Sequence, residues 1–124
     1  MEEGRSIRTY SFHDLVGEKF RALLQQEIRR MIRPQDIYDL YYLLNDHPLR
    51  DDPTMKRRIL GSLKEKAATR DLAVEKGSMR NPEIIRRSKS DYRQLKLQIE
   101  GELPRFDDIY AAMKVYYEGF PWET

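Results

Sequence analysis

Three side chains have types and spacing that could do chemistry: Lys19, Asp36 and Asp39. A lysine ammonium is a compact point charge suited to holding phosphate oxygens. Carboxylates three residues apart on a helix can bind a cation weakly or steer a neighbouring ammonium. Each residue also has a plain structural explanation. Lys19 can lay its methylene stem along apolar neighbours and reach water with its charge, or it can find a carboxylate. Asp36 suits the first turn of a helix, where a negative charge meets the positive end of the dipole. Asp39 can pair with a basic residue such as Arg33.

The elements that position these residues follow from spacing and caps. Residues 1–10 form a polar lead-in with weak alternation around Ile7–Tyr10, a short extended segment with nothing to pair with. Ser11, followed three residues later by Asp14, marks a helix start. Leu15, Val16, Phe20, Leu23, Leu24, Ile28 and Met31 then recur at helical spacing. On a wheel of about 100° per residue, Lys19 falls inside that apolar arc, between Leu15 and Leu23.

Pro34 suits the first turn of a second helix, which runs to about Leu44 and stops in Asn45-Asp46-His47-Pro48. Ile37, Leu40, Tyr41 and Leu44 make its core face. Tyr38, Tyr42 and Leu43 occupy the opposite side, with Asp39 between them and Asp36 beside Leu43. A helix apolar on both sides is normally covered on both. The Tyr38–Asp39–Tyr42 side is therefore expected to face a partner, a second copy of the chain or another domain.

A third helix starts at Asp52–Pro53 and carries Met55, Ile59, Leu60, Leu63 and Ala67. Residues 75–81 read as a mobile loop. Asn81 caps a fourth helix with Pro82 in its first turn, Ile84, Ile85, Tyr92, Leu95 and Ile99 inward, and Gly101 at its end. A fifth runs from about Asp107 to Glu118 and buries Ile109, Tyr110, Met113 and Tyr117. The expected fold is all-α: one bundle-like domain of five helices spanning residues 1–124.

Composition bounds the function. The 124 residues are 40% hydrophobic and 35% charged, enough for a modest core under a charged exterior. With no cysteine, disulfides and thiolate metal sites are excluded. His13 and His47 cannot make a histidine-rich metal site without several carboxylates. No apolar run approaches the ~20 residues of a membrane span, and no signal peptide opens the chain, so a cytoplasmic location is the default expectation. A net charge of +2 argues against strong non-specific attraction to nucleic acid. The basic clusters Arg29/Arg30/Arg33, Lys56/Arg57/Arg58 and Arg86/Arg87/Lys89 read first as solvated helix faces and second as phosphate contacts.

The run from Gly17 to Gln25, Gly-Glu-Lys-Phe-Arg-Ala-Leu-Leu-Gln, and the run Arg33-Pro34-Gln35-Asp36-Ile37-Tyr38-Asp39-Leu40-Tyr41-Tyr42-Leu43-Leu44 resemble the AbiEii/AbiGii toxin family of nucleotidyltransferases. Its members carry a Glu-Lys-Leu-x-Ala-Leu helix followed by an Arg-Asp-x-x-Asp-Leu helix. The segment Leu103-Pro104-Arg105-Phe106-Asp107-Asp108-Ile109-Tyr110 is similar to the family's closing helix. The likeness covers about residues 10–44 and 82–118.

The resemblance implies Mg²⁺-assisted transfer of a nucleotide from an NTP to an RNA or protein acceptor, within a toxin–antitoxin, abortive-infection setting. It implies that Lys19 contacts nucleotide phosphates and that Asp36 and Asp39 orient it or assist the acceptor. Gln35 stands where the family has arginine. The family's metal site lies in a Gly-Ser (or Gly-Gly) turn followed by an Asp-x-Asp strand, and that combination does not occur in these 124 residues. Two hard carboxylates are needed to hold Mg²⁺ against a triphosphate. The chain is thus expected to be the C-terminal helical portion of such an enzyme, catalytically incomplete alone and without Mg²⁺ or NTP of its own. A nucleotidyltransferase core domain, an antitoxin or a second copy would be its partner. The alternatives are a non-enzymatic module using the Tyr38/Asp39/Tyr42 side as an interface, and RNA binding through the basic clusters.

Overall fold

The computed structural model describes residues 11–25, 36–45, 47–98 and 103–122. The expected lead-in over 1–10, together with Ile28, Met31, Arg33, Pro34 and the helix end at Gly101, lies outside the described residues. Among the described residues there are five α-helices and no strand, the all-α fold that the periodicity demands. They are α1 (Phe12–Leu24), α2 (Asp36–Asn45), α3 (Pro53–Ala68), α4 (Pro82–Gln98) and α5 (Phe106–Glu118). None is long and apolar enough to cross a membrane.

The helix starts sit where cap chemistry puts them. Ser11 is extended, and its Oγ accepts the Asp14 N–H at 3.4 Å. Asp52 takes the Met55 N–H at 2.9 Å, with Pro53 following. Asn81 takes the Glu83 N–H at 2.8 Å. Each satisfies a backbone donor that the first helical turn leaves open. α3 ends at Thr69, and Asp71 then takes a left-handed conformation (φ 54°) that turns the chain back.

α1 is the central element, packed between α2 and α3. Val16, Phe20, Leu23 and Leu24 on α1 join Ile37, Leu40 and Leu44 on α2 and Ile59 and Leu63 on α3. The same core takes in Ile84, Tyr92 and Leu95 of α4 and Ile109, Met113 and Tyr117 of α5. Against α3 the approach is close at Gly17. A Cβ there would stand 2.9 Å from Ser62 Oγ and 3.1 Å from the Leu63 nitrogen. Only a glycine lets the two helices meet at this distance. Beside it the Ser62 hydroxyl donates to Asp14 Oδ1 at 2.8 Å.

The segment between α3 and α4 is fastened by tyrosines of α5. Tyr117 donates to the Glu75 carbonyl and Tyr110 to the Met79 carbonyl, both at 2.7 Å. Ser78–Arg80 forms a short 3-10 turn that buries Met79 completely. Arg80 closes the segment with a two-pronged contact to Glu118 at 2.8 and 2.9 Å. Three hydroxyls thus meet the backbone of residues 75–81: Ser78 Oγ accepts the Glu75 N–H at 2.8 Å, and the Tyr117 and Tyr110 hydroxyls donate to the Glu75 and Met79 carbonyls.

Candidate functional site

Two of the three residues singled out by pattern meet across the α1–α2 seam. Lys19 Nζ donates to Asp39 Oδ2 at 2.8 Å. Lys19 is held from behind: Val16, Phe20 and Leu23 on the same helix are fully buried, so α1 cannot turn its ammonium elsewhere. Asp39 is held likewise, with Ile37 and Leu40 on either side of it sunk in the core. Twenty positions of sequence thus collapse to one ion pair.

The pair is partly buried. The Lys19 side chain keeps 21% of its surface exposed and Asp39 keeps 32%. An ammonium has three N–H donors. One is committed to Asp39, which leaves two beyond it. The carboxylate fixes where the ammonium stands. This answers the irregularity of both helices at once: the charge inside the apolar arc of α1 finds the carboxylate on the crowded side of α2. Among the described residues, Lys19 is the partner of Asp39, while Arg33 lies outside them. Asp36 opens α2, but its side chain falls outside the described residues.

The surrounding tyrosines are covered unequally. Tyr38 and Tyr41 are partly buried against the core, whereas Tyr42 is 49% exposed. The Tyr42 ring lies tilted against that of Tyr38, 4.6 Å between centroids, and meets Tyr41 edge-on at 5.1 Å. Burial pushes the Tyr92 phenol of α4 up, and the nearby Tyr42, Tyr38 and Tyr41 add to that shift. The second side of α2 is thus partly covered by the chain itself, with α4 beside it.

Sequence reasoning missed Arg21. It is 5% exposed, with one nitrogen on Glu18, another on Gln25, and Nε without a partner. Glu18, Lys19 and Arg21 stand close together in sequence, and no local signal distinguishes the buried guanidinium from a solvated one. Of the basic clusters, Arg86 and Arg87 both converge on Glu83, at 2.5 Å each. They hold that exposed carboxyl down to about 2. Lys56 lies over the Tyr116 ring, 5.4 Å from its centre. The cluster Arg29/Arg30/Arg33 lies outside the described residues.

A magnesium site needs several hard oxygen ligands around one point. No group of three or more acids or histidines gathers among the described residues, and the Asp39 carboxylate already faces an ammonium. The described residues do not fit the metal, and no step is derived through it.

No curated protein and no solved structure matches the chain. A family model does, and it runs through the segment between the two stretches on which the sequence likeness rests. That model covers residues 1–112, and the chain belongs to the family it describes, the nucleotidyl transferase AbiEii toxins of type IV toxin–antitoxin systems.

Proposed function

We propose that this chain supplies the helical half of a nucleotidyltransferase site, in which Lys19 receives nucleotide phosphate oxygens and Asp39 holds it in position. The observation that carries this reading is the partly exposed Lys19–Asp39 contact at 2.8 Å, built from the two helices on which the family resemblance rests. Asp36, one turn earlier on α2, is assigned to the same site. The metal-binding Asp-x-Asp strand would come from polypeptide outside these 124 residues, and without it the isolated chain is catalytically silent.

Two measurements test this. The isolated chain, given Mg²⁺, each of the four NTPs and an RNA acceptor, is expected to form no labelled product. Turnover abolished by Lys19→Ala would overturn the incomplete-site reading. Separately, NMR of the Lys19 Cε methylene is expected to shift when an NTP is added. A resonance that stays fixed up to millimolar NTP removes the phosphate role.

A second reading has one specific support, the half-exposed ring of Tyr42. Exposed tyrosines are typical anchors of protein contacts, and the Tyr38/Asp39/Tyr42 side would then meet an antitoxin or a second copy. A strictly monomeric chain that retains no antitoxin in a pull-down speaks against it.

A further inference from the structure

A cleft of about 240 Å³ lies between α4 and the start of α5, lined by Lys89, Tyr92, Arg93, Arg105, Phe106 and Asp107. Its floor is aromatic and closed to water, with Tyr92 1% and Phe106 8% exposed. Its rim is cationic: Lys89, Arg93 and Arg105 are all exposed. No side-chain hydrogen bond or ion pair ties any of the three to another described residue. This separates them from Arg86 and Arg87 one turn away, which share the Glu83 carboxylate. One carboxylate, Asp107, shares the rim, so positive charge remains in excess.

Two local rules are broken at this spot. Lys89 and Arg93 are four residues apart on α4, a like-charge spacing that weakens a helix. Arg105 occupies the N-cap of α5 and gives its backbone no side-chain hydrogen bond. That position favours Ser, Thr, Asp or Asn, and the nearby dipole end repels a cation. Either departure alone would be a small defect of a solvated surface. Together they set three cations, without a side-chain partner among the described residues, around one cleft, and an anion seated there relieves both.

We propose that this cleft is a binding site for phosphate-ester oxyanions, held by Lys89, Arg93 and Arg105. The aromatic floor is too buried for a base to stack on it, so the recognised group is phosphate rather than nucleobase. Its source is either the polyphosphate of a free nucleotide or the sugar–phosphate backbone of a nucleic-acid strand. This inference goes beyond the Lys19–Asp39 site, and its readout is anion affinity rather than nucleotide transfer.

The test uses the full chain, inorganic tripolyphosphate and a mixed-sequence single-stranded RNA of about 12 nucleotides, titrated at low salt. Arg93→Ala/Arg105→Ala is compared with Arg57→Ala/Arg58→Ala, which removes equal charge from exposed positions on α3. The cleft variant is expected to lose affinity by about tenfold or more. For the RNA, its salt slope should also fall by about 0.7 for each contact removed. The α3 variant is expected to match wild type, and circular dichroism checks that both fold. Tripolyphosphate that displaces the RNA assigns the cleft to free nucleotide phosphate; RNA binding that resists it assigns the cleft to a strand. An equal loss in both variants, or no binding of either probe at low salt, overturns the proposal.

Discussion

The α5 side of the molecule and the α1–α2 seam use polar groups in opposite ways. On α5, Tyr110, Tyr116 and Tyr117 each donate a neutral hydroxyl to a backbone carbonyl, those of Met79, Arg50 and Glu75. Every donor is used internally, and burial pushes all three phenols up, Tyr116 to about 12 and the other two further. At the seam the polar groups are charged, partly exposed and only partly used, because Lys19 keeps donors beyond the one Asp39 takes. The first arrangement fastens loops. The second leaves chemistry available.

The largest expected effect lies on the fastening side. Tyr117 is fully buried among Phe20, Phe120 and Trp122. Tyr117→Ala should lower unfolding stability by about 3–5 kcal/mol, as for other large-to-small core changes. Urea denaturation checks this, and a loss under about 1 kcal/mol would erase the contrast between the two regions.

A middle-sized effect sharpens the same side through pH. The folded pKa values of these phenols lie above the unfolded value near 10, so the folded state favours the neutral form. Their contribution is fully present below pH 10 and is lost as pH rises through the folded values. Helical circular dichroism and phenolate absorbance should therefore change together between pH 10 and 12. Tyr110→Phe should make that alkaline loss shallower, while leaving the Met79 carbonyl unpaired costs about 1–2 kcal/mol at neutral pH.

The smallest stability effect belongs to the seam. In a double-mutant cycle of Lys19→Ala and Asp39→Ala, the coupling should be about 0.5–1 kcal/mol, the range of partly solvated pairs. A coupling of several kcal/mol would make the pair an architectural element like the tyrosines rather than a site held ready.

Much of this was legible in the sequence because caps and periodicity are local. Ser11, Asp52–Pro53 and Asn81–Pro82 announce three helix starts, and the five-helix pattern follows from apolar spacing. Lys19 and Asp39 were visible as violations, since each breaks the pattern of its own helix. Their pairing was not visible, because it depends on how α1 and α2 are set against each other. The cleft at Lys89, Arg93 and Arg105 was hidden for the same reason: its parts belong to α4 and to the start of α5. The α5 tyrosines read only as apolar bulk, for the ring pattern says nothing about where a hydroxyl lands.

Gly17 carries a consequence for Lys19. The two residues are about 200° apart on α1, so one lies against α3 while the other lies toward α2. The helix behaves as a spacer of set thickness between its neighbours. A side chain at position 17 would meet Ser62 and Leu63 and shove α1 away from α3. That push would arrive on the far side as a displacement of the ammonium against Asp39. The hydrogen atom at Gly17 is thus the shim that sets the charge on the opposite face.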